Sequence, residues 1–162
     1  MGEDRGRRRA RPRQSWIAGV AGLGLALALA PGVIAGGATV TRGDFSAFAT
    51  GVGLSITGSA TMVRTADGKT IVTVHVEGLG ANTTYGSHVH QLPCGSSEAD
   101  GHYRNDPAGP ATPPNEIWPG FTTNAAGIGN GNATVGWTAG AAAVSVVVHA
   151  PGGAKIACAD LA

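Results

Sequence analysis

The sequence predicts an all-β domain, and three observations support this prediction. The 162 residues include 27 glycines and only 13% charged residues, a composition that favours short strands and tight turns over helices. Apolar and polar residues alternate over residues 54–62 and 70–77, as in strands with one buried face. A hydrophobic content of 43% over this length allows one domain with a proper core. We therefore expect a single sandwich or barrel.

The first 35 residues have the pattern of a secretory signal. Six arginines precede residue 15, and a nearly uncharged stretch rich in Ala, Leu and Gly follows from Trp16 to Ala35. Small residues at Val33 and Ala35 predict cleavage after Ala35, and export to a secreted, periplasmic or cell-surface location. The alternative is an uncleaved anchor, because about 20 apolar residues can span a bilayer.

Removing this leader changes the net charge of the chain. Five basic and eight acidic residues remain, so the formal charge falls from +1 to −3. The arginine cluster directly precedes an apolar segment, which indicates export, and nothing basic remains that could cradle a nucleic acid. We therefore expect no nucleic-acid partner, and a membrane partner only if the leader is uncleaved.

The first half of the mature chain predicts a hairpin. Residues 36–50 form a linker or an edge strand, and residues 53–64 form a strand whose alternation places one face in the core. Asp-Gly at the centre of residues 66–69 supplies the positive φ of a hairpin turn. The partner strand is 70–77, with three valines on one face. His75 lies on the other face, which we expect to be exposed to solvent and not to bind a metal.

A long loop divides the second half. Residues 78–82 form a turn, Tyr85–Gln91 forms a strand, and residues 93–115 contain too many prolines and glycines for a central strand. We interpret these 23 residues as the functional loop. A turn at 124–131 is expected in the remainder. The remaining predicted strands are 116–122, 133–137, 144–149 and 156–159.

Four histidines are candidate metal ligands. His88 and His90 are two residues apart in a predicted strand, so both imidazoles lie on one face. His149 ends the apolar run 144–148, which predicts a neighbouring buried strand, and His102 adds an imidazole from the loop. Imidazole suits zinc, copper, iron and nickel, and without thiolates the order of divalent affinities favours copper. Such a site, open on one side, suits one-electron chemistry on a small molecule.

The two cysteines, Cys94 and Cys158, both lie in the exported part of the chain. An even pair in an oxidising compartment predicts a disulfide. The bond would enclose 63 residues, and the loop-entropy model then gives a stabilisation of about 4 kcal/mol. The alternative, a pair of copper thiolates, is disfavoured because export normally oxidises such pairs.

The order of these motifs resembles the copper/zinc superoxide dismutase family over residues 52–162. The resemblance implies an all-β fold, an eight-stranded Greek-key β-barrel of immunoglobulin-like sandwich architecture, and it also implies the disulfide. It implies a copper superoxide dismutase that converts superoxide, its small-molecule substrate, to oxygen and hydrogen peroxide. It places the histidine that bridges copper to zinc at His102, and implies the copper ligands His88, His90, His102 and His149. The motifs that carry it are His-Val-His at 88–90, the loop of Cys94, Gly-His-Tyr at 101–103, Val-Val-His at 147–149 and Gly-Gly-Ala-Lys-Ile-Ala-Cys at 152–158.

The zinc ligands of that family are missing from this sequence. No histidine occurs between His102 and His149, and a closed zinc site needs four ligands, for which only acids such as Asp106 and Glu116 remain. We therefore predict copper and no zinc, as in the copper-only branch of the family, where an acid can hold the bridging histidine. Glu116 is the candidate that would fix the orientation of His102 through its second ring nitrogen, and a solvated acid at a strand start is the alternative.

Two further departures concern access to the copper. Only five residues separate His149 from Lys155, so the long loop that walls the channel in the family is missing and the copper should be open. Lys155 stands where the family has a catalytic arginine. A lysine retains attraction for an anion but positions it less rigidly. Lys155 and His102 are the candidate catalytic residues, with His102 as a proton carrier.

A function from a different class remains open on the same fold. Because fold does not determine function, the alternative is a non-catalytic copper-binding or copper-buffering protein. The missing channel loop and the lysine at position 155 favour it, whereas the complete set of four histidines is common to both hypotheses.

Overall fold

The computed structural model describes residues 33–34 and 37–162. The predicted signal segment lies outside these residues apart from Val33–Ile34, and so does the cleavage point after Ala35. Among the described residues, no helix is both long enough and apolar enough to cross a membrane.

Ten strands in the described part of the chain form two antiparallel sheets of five strands each. The first sheet contains, in spatial order, β1 (Val33–Ile34), β2 (Ala38–Asp44), β4 (Thr57–Arg64), β5 (Thr70–Glu77) and β8 (Gly129–Val135). The second contains β3 (Ser46–Ala47), β10 (Lys155–Asp160), β9 (Ser145–His149), β6 (Thr84–His90) and β7 (Phe121–Thr122). Single turns of 3-10 helix lie at Ala49–Gly51 and Ser97–Ala99.

The connections between the sheets are those of a Greek key. The chain passes from β5 to β6 in the opposite sheet, forms the pair β6–β7, and returns to β8, which lies beside β5. At the other edge the backbones of Arg42 and Ala162 exchange hydrogen bonds of 3.1 and 3.3 Å, which join β2 to the end of the second sheet. The all-β Greek-key sandwich is confirmed. The described strands number ten where eight were expected, and three of them have only two residues.

The core lies between the two sheets, and strand β5 shows the alternation of buried and more exposed residues that this arrangement produces. Strand β5 buries its three valines, as predicted, and places His75 on the solvent face. There the two ring nitrogens of His75 lie 2.9 Å from Asn130 Oδ1 and 2.9 Å from Glu77 Oε1. The largest fully buried side chains include Met62, Val72, Val76, Val89, Ile117, Val146 and Val148.

Two predicted strands and one predicted turn need correction. The strand expected over 53–64 begins at Thr57, and Leu54 is 42% exposed because a 3-10 turn and a loop precede the strand. The strand expected over 116–122 is reduced to Phe121–Thr122, since Pro119 has no N–H to donate to a ladder. The turn expected over 124–131 is shorter, because β8 already begins at Gly129.

The early start of β8 has a steric cause. A Cβ atom at Gly131 would collide with the carbonyl of Pro119, and one at Gly129 would collide with the ring of Phe121. Glycine in this strand therefore permits a close approach of two backbones, whereas the sequence pattern suggested a turn. Residues 38–47, where a linker or an edge strand was expected, form β2 and β3.

Arg64 ties the first sheet to the segment that leads into β9. Its Nε donates to the carbonyl of Ala139 at 2.8 Å, and its Nη2 donates to the carbonyls of Ala143 at 3.2 Å and of Gly140 at 3.4 Å. Burial lowers the pKa of the Arg64 guanidinium from its ordinary value. Because this segment precedes the strand that carries His149, Arg64 supports the placement of that residue.

Replacing Arg64 should destabilise the fold. We expect Arg64→Met to lower the free energy of unfolding by about 2 kcal/mol, because hydrogen bonds from a charged group to carbonyls are worth about 1.5–3 kcal/mol. Denaturant unfolding measures the change. Arg42→Met is the matched control, since the side chain of exposed Arg42 donates to Ser59 Oγ alone, at 3.0 Å, and its replacement should lower the free energy of unfolding by less than about 0.5 kcal/mol. Equal losses in the two variants would contradict the role of Arg64.

Candidate metal centre

Two paired strands and one loop bring the four predicted histidines together. His88 and His90 lie on one face of β6, and the antiparallel pairing places His149 of β9 opposite Gly86. A Cβ atom at Gly86 would lie 3.5 Å from the ring of His88 and 3.7 Å from Cβ of His149, so this position packs directly against both residues. His102 forms a single antiparallel bridge with His90, which lays the long loop along β6.

The four imidazoles are close enough to share one ion. Each offers a nitrogen atom, and these atoms all lie within 4.8 Å of one another. Nε2 of His90 and Nε2 of His149 lie 3.4 Å apart. The ring centroids of His88 and His102 are 4.1 Å apart. The set predicted from sequence is therefore a single cluster.

Backbone carbonyls orient two of the rings. Nδ1–H of His90 donates to the carbonyl of Asp100 at 2.9 Å, and Nδ1–H of His149 donates to the carbonyl of Gly153 at 3.0 Å. A hydrogen bond at one ring nitrogen fixes the tautomer and leaves the other nitrogen as a ligand. Both residues therefore present Nε2 as the available donor to a metal.

A buried carboxylate orients the third ring. Glu116 is 2% exposed, and its Oε2 lies 2.7 Å from Nδ1 of His102 and 2.7 Å from Nε1 of Trp118. His102 and Trp118 both donate to this oxygen, so Nε2 of His102 remains free. Asp106, the other acid considered, is exposed; its Oδ1 accepts from the backbone N–H of Ala108 at 2.9 Å, and it is outside the histidine cluster.

The fourth ring has an unpaired nitrogen. Among the described residues, the buried side-chain polar atoms without a hydrogen-bond partner are Nδ1 of His88 and Oγ of Ser87. A buried polar atom without a partner is costly unless a ligand satisfies it. A metal ion among the four histidines would give His88 that partner, so the residues present fit a metal held by imidazoles.

Burial keeps these imidazoles neutral. It lowers the pKa of His88 from 6.5 to about 3 and that of His90 from 6.5 to about 4, with the neighbouring His102 as the next cause. The pKa of His149 is also lowered by burial. Because a metal binds the neutral form of histidine, these three ligands need release no proton at pH 7.

Lys155 lies beside the cluster and is held by the long loop. Its Nζ donates to the carbonyls of Glu98 and Asp100, both at 2.8 Å. Its positive charge contributes to the lowered pKa values of His90 and His149. The carbonyl of Asp100 thus accepts hydrogen bonds from both Lys155 and His90.

The predicted disulfide is confirmed. Cys94 and Cys158 are joined, their Cα atoms lie 5.7 Å apart, and no free cysteine is present in the described residues. The alternative of copper thiolates is therefore wrong for this structure. The bond attaches the loop that contains Asp100 to the strand that contains Lys155.

Trp118 was not identified from the sequence. Its ring centroid is 5.0 Å from that of His88 and 6.4 Å from that of His102. A polar acid followed two residues later by tryptophan is a weak signal, because residues 116–122 suggested a strand and not a wall of the site.

The fold is similar to that of solved superoxide dismutase structures. The structure is similar to that of Candida albicans superoxide dismutase 5 with Cu(II), with a TM-score of 0.53 and 17% sequence identity over 75% of this chain and 90% of that chain. The structure of a glutamate-to-glutamine mutant of the same protein is also similar, with a TM-score of 0.52 and 17% sequence identity over 75% of this chain and 89% of that chain. No protein-family model and no curated protein matches the sequence. The resemblance expected from the motif order is confirmed at the level of the fold.

The lowered pKa of His90 predicts an acid-sensitive metal-free protein. Between pH 6.5 and about 4, His90 binds a proton in the unfolded chain but not in the folded chain. The free energy of unfolding is therefore highest above pH 6.5 and falls as the pH is lowered below this value. At pH 5, protonation of His90 in the unfolded chain lowers the free energy of unfolding by about 2 kcal/mol. Unfolding by denaturant between pH 7.5 and 5 measures this loss, and His90→Gln should reduce the pH dependence by the part due to His90, while the parts due to His88 and His149 remain.

His75 provides the control for this experiment. Its pKa is raised by hydrogen bonds to Asn130 and Glu77, so its contribution to stability is present at low pH and is lost as the pH rises. His75→Gln should therefore not flatten the acid-side loss. An identical slope in the parent and in His90→Gln would contradict the assignment to His90.

Proposed function

We propose that the protein is an exported copper-dependent superoxide dismutase, which converts superoxide to oxygen and hydrogen peroxide. The observation that carries the proposal is the cluster of four histidines with nitrogens within 4.8 Å. Three of the rings have Nδ1 engaged, and the fourth has a buried Nδ1 without a partner. A donor set of imidazoles without thiolates favours copper. The similarity to a superoxide dismutase with Cu(II) supports the same assignment.

Copper bound by His88, His90, His102 and His149 would supply one-electron chemistry, accepting an electron from one superoxide and giving an electron to a second. His102 is the residue proposed to carry a proton. Glu116 holds its Nδ1–H at 2.7 Å, so Nε2 is the atom that would hold copper, and it would take up a proton only when released from the metal and then deliver this proton to the reduced superoxide. The second proton of hydrogen peroxide comes from solvent.

Lys155 is proposed to attract the anionic substrate. Its ammonium group is near enough to His90 and His149 to influence both pKa values. The mature chain has a formal charge of −3, which repels superoxide at long range, so a cation beside the metal site provides local attraction.

The same site is proposed to hold no zinc. Nδ1 of His102, which would have to face a second metal, is hydrogen-bonded to Glu116. The described cluster of histidines contains no further potential ligand besides its four members. Export is supported by the disulfide, because such bonds persist in oxidising compartments.

A copper-binding or copper-buffering protein is the second candidate. Nζ of Lys155 already donates to two carbonyls, and an ammonium group has three N–H donors. Only one donor is therefore left for a substrate, which favours retention of copper without rapid turnover.

Metal analysis and a superoxide decay assay on one sample test the proposal. We expect protein loaded with copper and zinc to contain one copper and no zinc by mass spectrometry, and to accelerate superoxide decay. His149→Gln should lose copper and activity, whereas His75→Gln, outside the cluster, should retain both. An intact mass beginning at Gly36 would support cleavage of the leader.

The outcomes separate the candidate functions. Copper without accelerated decay would favour the buffering protein, and stoichiometric zinc would contradict the copper-only assignment. Activity that persists in His149→Gln without copper would exclude this site as its source.

Replacing Lys155 tests the proposed attraction of the substrate. We expect Lys155→Met to lower kcat/KM by about tenfold and to weaken its dependence on ionic strength, because a local cation raises the rate of encounter with an anion by about tenfold or more. Lys155→Arg retains the charge and should preserve most of the rate. Copper content should be unchanged in both variants. Equal rates in Lys155→Met and the parent, at equal copper content, would show that Lys155 does not guide the substrate.

A further inference from the structure

The indole N–H of Trp118 has a defined role in the hydrogen bonds around His102. We propose that Trp118 is a positioning residue, which acts through the carboxylate of Glu116 to hold the ring of His102. This inference rests on the proposed function in that His102 is taken as a metal ligand. Its geometric basis does not depend on any activity.

Two donors meet on one oxygen atom of Glu116. Nδ1–H of His102 and Nε1–H of Trp118 both reach Oε2, each at 2.7 Å. The carboxylate is 2% exposed, so water does not replace either donor, and a buried carboxylate needs such donors. The terminal torsion of a glutamate has a broad energy minimum. A single donor therefore leaves the carboxylate free to turn, whereas two donors on Oε2 fix its orientation.

Trp118 is itself fixed by its neighbours in the chain. Ile117 and Pro119 are both buried, and the carbonyl of Ile117 accepts the N–H of Val89 at 3.1 Å. Val89 lies between the ligands His88 and His90. The backbone that carries the indole is thus hydrogen-bonded to the strand that carries the two histidines of β6. Trp118 therefore has a fixed position relative to these histidines, and its N–H can hold Glu116 in a fixed position as well.

The indole ring also contacts the cluster. Its centroid lies 5.0 Å from that of His88 with an interplanar angle of 53°, and 6.4 Å from that of His102 at 82°. Trp118 is 38% exposed, so its outer part lies at the surface. Replacement by phenylalanine retains an aromatic ring at this place and removes the N–H, which separates the hydrogen bond from the packing.

The first experiment uses metal-free protein labelled with ¹⁵N-histidine. We expect Trp118→Phe to increase the solvent exchange rate of the His102 Nδ1 proton, measured by NMR, by about fivefold or more. Trp137→Phe is the matched control, because Nε1 of Trp137 also donates a hydrogen bond, to the backbone carbonyl of Pro114 at 3.0 Å, and neither Trp137 nor Pro114 belongs to the histidine cluster. Unchanged exchange in Trp118→Phe would overturn the proposal.

A double-mutant cycle tests whether Trp118 acts through Glu116. The rate of copper transfer from the loaded protein to a chelator is measured for Trp118→Phe, Glu116→Gln and the double variant. We expect each single variant to release copper about tenfold faster, since partners of metal ligands contribute about 10- to 100-fold to metal affinity. The double variant should release copper no faster than Glu116→Gln, because coupled residues are not additive. Fully additive effects would overturn the proposal.

The two readouts distinguish failure of this inference from failure of the proposed function. Suppose that Trp118→Phe speeds exchange of the His102 Nδ1 proton and that the effects of Trp118→Phe and Glu116→Gln on copper release are not additive. If the parent protein nevertheless fails to accelerate superoxide decay, the role of Trp118 is retained and the proposed dismutase activity is rejected. Accelerated superoxide decay, together with an unchanged exchange rate in Trp118→Phe, would retain the proposed dismutase activity and reject the role of Trp118. Unfolding midpoints of all variants, compared with that of the parent, establish that the exchange rates report on folded protein.

Discussion

The register between β6 and β9 is the constraint on which the site depends. Because Gly86 pairs with His149 and His88 pairs with Val147, three imidazoles lie on the same face of the second sheet. A shift of one residue would turn the histidines of β6 into the core and its apolar residues outward. Every residue of β9 is buried, since the core covers one face and the long loop covers the other. This burial opposes any slip of the register.

The long loop is held in an unfavourable conformation beside the histidines. The four residues Ser97–Asp100 have φ values from +47° to +64°, a region that costs roughly 1–2 kcal/mol for each residue with a Cβ atom. The disulfide at Cys94 and the ammonium group of Lys155 hold this segment in place. In this conformation, the carbonyl of Asp100 accepts hydrogen bonds from both Lys155 and His90. The loop therefore orients a candidate ligand as well as covering β9.

Much of the candidate metal centre could be predicted because the features that define it are local or follow from the chemistry of the residues. The spacing of His88 and His90 on a strand requires only the alternation of side chains, and the pairing of two cysteines requires only their number. The hairpin at Asp67-Gly68 follows likewise from turn chemistry, and Gly68 has a φ of +83°. These features do not depend on which distant segments pack together.

The features that sequence reasoning missed depend on long-range packing. The sequence predicts a turn over the first residues of strand β8, whereas Gly129 and Gly131 allow close approach of Phe121 and Pro119 to that strand. The wall formed by Trp118 arises because the segment after Glu116 leaves the sheet and follows β6. No periodicity in the sequence contains that information.

The short connection between β9 and β10 combines two properties of the site. Its backbone closes a tight turn in which the N–H of Ala150 donates to the carbonyl of Ala154 at 2.8 Å. Gly153 has a φ of +95°, which a residue with a Cβ atom rarely adopts, and its carbonyl accepts Nδ1–H of His149. A connection of five residues is thus long enough to orient a ligand but too short to fold over the histidines. The fixed ring of His149 and the short reach of this connection follow from the same turn.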